Sequence, residues 1–142
     1  MRCLARMLLC AVVVTTMSTV SASLAADRER PADRVVVMYF HRTERCPTCK
    51  KMGAYSEEAM KEKFASELKE GTVEFHFVDF QIKKNAKLVK GYKIEDPALI
   101  VSQIVANKVK QYKNLEEIWT KVQKKPEFLE YVQKNVTAYQ KR

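Results

Sequence analysis

The sequence predicts an α/β domain: a central mixed β-sheet of about four strands flanked by helices, with an extra helix at the carboxyl end. Three observations predict it. "VVVMYF" (Val35–Phe40) is a continuous, β-branched apolar run, as expected of a strand buried on both faces. "TVEFHFVDF" (Thr72–Phe80) sets Val73, Phe75 and Phe77 on one face and Val78 and Phe80 on the other, the alternation of a second strand. Between them, apolar residues recur at helical spacing.

The elements follow in order. After the first strand, Pro47 stands where a helix begins, a position that tolerates a missing N–H. Met52, Tyr55, Ala59, Phe64 and Leu68 mark that helix, Gly53 stands near its start as a point of bending, and Gly71 stops it. A short helix through Ala86, Leu88 and Val89 follows the second strand and ends near Gly91. "ALIVSQIV" is a third strand, introduced by Asp96-Pro97, and a turn at Ala106-Asn107-Lys108 pairs it with "VKQY" as a hairpin. Asn114 with Glu117 three residues on has the form of a capping box. It opens a helix whose buried face would carry Leu115, Ile118, Trp119 and Val122. Pro126 restarts a last helix with Phe128, Leu129, Val132 and Val136. Strand, helix, strand, helix, strand, strand, helix is a thioredoxin-like arrangement, with the first two strands parallel across a helical connection.

The first residues stand apart from this domain. Arg2 and Arg6 precede an apolar run from Met7 to Val14, and Ser23-Leu24-Ala25 supplies small residues. Residues 1–25 read as a secretory signal cleaved after Ala25. The alternative, an uncleaved anchor, has a run shorter than the ~20 apolar residues that cross a bilayer. Residues 26–34 are expected to be a flexible lead-in, and residues 35–142 the folded domain. The expected location is therefore exported, periplasmic or secreted.

Composition limits the function. Hydrophobic residues are 46% and charged residues 30% of the chain, which supports one packed soluble domain. The formal charge is +9, but the lysines of "KEKFASELKE" and "TKVQKKPEF" are mixed with glutamates, the pattern of solvated helix faces. No nucleic-acid motif accompanies them, so no nucleic-acid partner is expected. Membrane contact is expected only through an uncleaved signal, and the domain is expected to be a monomer.

Cysteine usage is more pointed. Cys3 and Cys10 leave with the signal, so Cys46 and Cys49 of "HRTERCPTCKK" remain. An exported chain meets conditions where disulfides persist. This pair closes too short a loop to restrain the unfolded chain much. A structural zinc normally takes four ligands, which His41 and His76 would have to complete; no metal is expected. The pair lands between a strand end and a helix start, where unpaired N–H groups and the helix dipole stabilise a thiolate. Cys46 is then the exposed nucleophile and Cys49, one turn in, the resolving thiol. Arg45, Lys50 and His41 are candidates for tuning the Cys46 pKa. Glu44 or a water is a candidate proton acceptor. The cofactor expectation is none beyond a reversible Cys46–Cys49 disulfide.

Three segments, "VVVMYFHRTERCPTCKK", "FASELKEGTVEFHFVDF" and "YKNLEEIWTKVQKKPEFLEYVQ", resemble the thioredoxin-like family labelled ArsF, or nitrophenyl-compound nitroreductase subunit. The "RCPTC" loop and the "KNLEEIW" helix start are the most specific parts. The resemblance implies an exported thioredoxin-fold protein with Cys46 and Cys49 as its redox pair. The only glycines are Gly53, Gly71 and Gly91, so no Gly-rich dinucleotide loop is present, and electrons would pass to a partner that holds the cofactor. "EDPALIV" is similar to the thioredoxin segment in which a cis proline opens a strand beside the CxxC. That similarity places Asp96 and Pro97 in a substrate groove, with a cis Asp96–Pro97 bond. Three functions follow: an exported thiol–disulfide oxidoreductase acting on protein thiols or disulfides, a redox subunit serving one dedicated partner, or a non-enzymatic thioredoxin-fold binding module. Basic neighbours around the pair favour its thiolate and point to a more oxidising couple than thioredoxin.

Overall fold

The structure, a computed structural model, describes residues 30–141; the expected signal at 1–25 lies outside the described residues. Strand β1 (Arg34–His41) is followed by helix α1 (Pro47–Lys63), helix α2 (Ala65–Glu70) and strand β2 (Val73–Asp79). A 3-10 turn at Lys83–Asn85 leads into α3 (Ala86–Tyr92), then β3 (Ala98–Val105) and β4 (Lys108–Asn114), and the chain closes with α4 (Ile118–Lys121) and α5 (Lys125–Gln140). The sheet order is β2-β1-β3-β4. β1 runs parallel to β2 and antiparallel to β3, and β3 pairs antiparallel with β4. This mixed four-stranded sheet flanked by helices is a thioredoxin-like fold.

The sheet separates two apolar clusters, which is why β1 and β3 are apolar on both faces. Val35, Val37 and Tyr39 of β1 and Leu99 and Val101 of β3 pack with Met52, Ala59 and Met60 of α1 and Phe128, Val132 and Val136 of α5. Met38, Phe40, Ala98 and Ile100 face the other way, onto Val89, Tyr92 and Ile94 in and after α3. Each fully buried large side chain contributes about 1.5–3 kcal/mol. β1 lies inside the sheet with a neighbour on each side, so whatever follows its carboxyl end is held on the best-supported strand of the domain.

Several expectations are corrected. The last residue of the expected lead-in, Arg34, already belongs to β1, and its guanidinium donates to the Pro31 carbonyl and to Asn107. The Asp33 carboxylate accepts from the Ala106 N–H, and the Ala32 carbonyl from the Asn107 N–H. Ala106 and Asn107 both have positive φ, as a two-residue hairpin loop that follows strand twist requires. The first predicted helix is two helices, broken at Phe64 (φ −120°, ψ 28°), where the ring is buried in the core; Gly71, left-handed at φ 79°, closes the second. The predicted capping box is absent. Asn114 stays in β4 opposite Ile100, and α4 is a single turn with no side-chain cap. A helix that short buries Leu115, Ile118 and Val122 around itself but leaves Trp119 45% exposed.

Candidate functional site

Five residues join β1 to α1, and the last of them, Cys46, is the helix N-cap. Pro47 follows in the first turn, as predicted. The Cys46 backbone is extended (φ −63°, ψ 161°), and its Sγ accepts a 3.2 Å hydrogen bond from the Cys49 N–H. A sulfur here does what a serine or aspartate oxygen does at other caps: it satisfies one of the first N–H groups, which lack helical partners. The Lys50 N–H bonds to the Cys46 carbonyl at 3.0 Å and closes the turn.

Both cysteines are free, and their sulfurs are 2.6 Å apart. Cys46 is exposed, whereas Cys49 is only 8% exposed. Their environments drive the two thiols apart. Hydrogen bonds from the Cys49 thiol and then from the Cys49 N–H hold the Cys46 thiol below the usual range. Burial, followed by the hydrogen bond with and the charge of Cys46, pushes the Cys49 thiol up. The arrangement thus favours a proton on the inner sulfur and negative charge on the outer one, the division of labour of an attacking and a resolving thiol.

Aromatic residues frame one side. The buried Tyr39 hydroxyl donates to the Cys49 carbonyl at 2.8 Å, and burial pushes its own pKa up, so it stays a donor. The Phe77 ring meets Tyr39 edge-on at 6.1 Å. About two turns into α1, Gly53 lets the helix approach both rings: a Cβ there would lie 3.0 Å from a carbon of Tyr39 and of Phe77. The Arg45 guanidinium lies over Phe77, 5.8 Å from its centroid. His41 stands 6.2 Å from each of the two rings, and its Nδ1–H donates to the Arg42 carbonyl at 2.8 Å, leaving Nε2 as the other ring nitrogen.

On the other side, Arg42 holds the loop to two further segments. It pairs with Asp96 at 3.0 Å and lies 5.9 Å from the Phe80 centroid. The Thr43 N–H donates to the Gln81 side chain at 2.9 Å. Pro97 is buried and is one residue before Ala98, which pairs with Phe40; it therefore enters β3 beside His41. The expected cis bond is overturned, because the described residues contain no cis peptide. An X–Pro bond keeps its trans preference of about 0.5–1 kcal/mol unless packing reverses it, and here the Asp96 carboxylate is engaged by Arg42 instead.

The structure thus brings together Cys46, Cys49 and Arg45, with His41, Asp96 and Pro97 at the adjoining strand ends, while Lys50 is exposed on the first turn of α1. Tyr39, Phe77 and Gly53 join the site without having been singled out for it. Only the alternation of β2, which set Phe77 beside Phe75, hinted at the aromatic side. His76 lies on the edge strand β2 and bonds to Glu74 at 2.7 Å. Among the described residues, no three His, Cys, Asp or Glu side chains are grouped to hold a metal ion, and no helix is long and apolar enough to cross a membrane.

No protein-family model matches the chain, and no curated protein matches it. Among solved structures it is similar to one described as "Structure of a malarial protein", with 18% identity over 62% of this chain and 96% of that one and a TM-score of 0.39. A likeness that loose bears on neither fold nor chemistry.

Proposed function

We propose that the protein is an exported thiol–disulfide oxidoreductase or dithiol electron carrier whose working parts are Cys46 and Cys49. The observation that carries this reading is the pairing of an exposed sulfur, which caps α1 and accepts the Cys49 N–H, with a buried thiol one turn behind it. The Cys46 thiolate attacks one sulfur of a partner disulfide. An S–S bond forms between protein and partner while the partner's own S–S bond breaks, releasing a thiolate. Cys49 then gives up its proton, attacks Cys46 Sγ and frees the second partner sulfur. The partner gains two electrons and two protons, and the protein is left with the Cys46–Cys49 disulfide. The reverse sequence oxidises a dithiol partner.

Pro97 and Asp96, beside His41 and Arg42, form the strand-end wall against which a partner segment would lie. The resemblance to the nitroreductase-subunit family supports a narrower version, in which one cofactor-bearing protein is the regular partner. Reduction of insulin disulfides separates the two, since a general oxidoreductase turns insulin over and a dedicated carrier does so poorly. The basic test is alkylation of the reduced protein across a pH series. Cys46 should react with its midpoint below that of a free thiol, Cys46→Ser should abolish exchange, and Cys49→Ser should trap a mixed disulfide. An ordinary free-thiol titration for Cys46, or a folded reduced protein that protects it from reagent, would overturn the proposal.

A further inference from the structure

We propose that the lysine-rich element between β2 and β3 docks an acidic segment of the protein that exchanges electrons with Cys46, an inference that rests on the dithiol reading for the identity of that partner. "QIKKNAKLVKGYK" (Gln81–Lys93) carries Lys83, Lys84, Lys87, Lys90 and Lys93 and no acidic residue. These lysines occupy the 3-10 turn, α3 and its C-cap, and all are exposed. None of the five makes an ion pair among the described residues, whereas Lys61, Lys121, Lys124 and Lys125 of the α1 and α4–α5 region each hold a glutamate. The five therefore present uncompensated charge.

A solvated charged face would account for the lysines but not for what lies between them. A groove of about 500 Å³ has Phe80, Val89 and Ile94 in its lining and Lys83 and Lys90 among its walls. Ile82, also in the lining, is 43% exposed. Apolar floor and cationic rim together suit one apolar side chain flanked by carboxylates. The recessed floor favours a protruding protein segment over a bilayer surface, which offers nothing to fill it.

The groove also shares a wall with the CxxC loop. Phe80 lies against Arg42 and Gln81 accepts from the Thr43 N–H. Glu95, the one carboxylate in its lining, precedes Asp96, which Arg42 holds. A segment seated here sits beside the loop that carries Cys46. Clustered charge of one sign raises encounter rates of an oppositely charged partner by roughly 10–10³ at low salt.

The test is fluorescence anisotropy with the full domain and three labelled peptides, in which one leucine is flanked by glutamates, glutamines or lysines. The glutamate peptide should bind about tenfold more tightly than the glutamine peptide at low ionic strength, with the advantage shrinking as salt screens it. The double variant Lys83→Glu/Lys90→Glu should abolish the preference. Lys108→Glu/Lys110→Glu on β4, with the same change in net charge, should keep it. Equal affinity for the three peptides, equal loss in both double variants, or capture on phosphatidylglycerol vesicles without a peptide preference would overturn the proposal. The Cys46→Ser/Cys49→Ser protein should bind the glutamate peptide as well as the parent does. Failure of docking is thereby distinguishable from failure of the dithiol chemistry, which alkylation reads separately.

Discussion

The Tyr39 hydroxyl donates a 2.8 Å hydrogen bond to the Cys49 carbonyl oxygen, fixing the first turn of α1 to the interior strand β1. Both partners are buried, so the bond cannot be replaced by bulk water. Tyr39→Phe is expected to cost about 0.5–1.5 kcal/mol, the usual net worth of one intramolecular hydrogen bond, read as a lower urea midpoint with unchanged slope. Because the bond ends on a carbonyl and not on sulfur, the pH midpoint of Cys46 alkylation should stay where it was.

Cys49→Ala removes the side chain that contributes most to lowering the Cys46 pKa. Its alkylation midpoint should move up toward a free thiol's, and its rate at neutral pH should fall. Cys49→Ser, which keeps a donor, should shift it less. The same lowering has a stability counterpart in the reduced parent. A thiol whose folded pKa is depressed contributes stability that is present above the unfolded value of about 8.5 and is lost as pH falls through the folded value. Cys49, pushed up, contributes in the opposite sense, with stability present below the unfolded value and lost as pH rises through its folded one. Urea titrations of the two single serine variants across pH separate the two slopes.

Arg45→Gln should slow alkylation of Cys46 at neutral pH and low salt, because a positive charge beside the loop favours the thiolate. The deficit should shrink in 1 M salt, where the Debye length is about 3 Å. Lys50→Gln should act in the same direction. A deficit in Arg45→Gln that salt leaves untouched would instead assign Arg45 to packing on Phe77.

Gly53 and Gly91 should respond oppositely to alanine. At Gly53 the new methyl meets Tyr39 and Phe77 at 3.0 Å, and overpacking of about 1–3 kcal/mol outweighs a helix-propensity gain of about 1 kcal/mol. At Gly91, in α3, a Cβ meets nothing within 4 Å, so the propensity gain stands alone. Thermal unfolding should show Gly53→Ala below the parent and Gly91→Ala above it.

How much of this was legible depended on how local the determinant was. β3 matches its predicted span from Ala98 to Val105, because residues apolar on both faces have no other comfortable place than a covered strand. The start of α1 at Pro47 was legible because proline at a first turn states its own reason. Trp119 was misplaced because hydrophobic spacing cannot say that a helix ends after one turn. Asn114 looked like a cap until its pairing with Ile100 kept it in the sheet. The two sulfurs were found from their spacing, but the wall of Tyr39, Phe77 and Gly53 needs contacts between β1, β2 and α1, which no single segment encodes. The lysines of α3 were absorbed into a chain-wide impression of mixed charge. Their lack of ion pairs emerges only when the lysine–glutamate pairs of the other helices are set beside them.

The clasp between the residues ahead of β1 and the hairpin tip has a practical meaning. It lies at the start of β1, the opposite pole of the sheet from the sulfurs, which follow that strand's end. Shortening the protein up to Arg30 leaves every one of these fastenings in place, whereas starting it at Val35 unbuttons the tip. Such a shortened protein should be less durable against heat or protease while its sulfur chemistry runs at the parent's pace, so the boundary chosen for expression governs shelf life rather than reactivity.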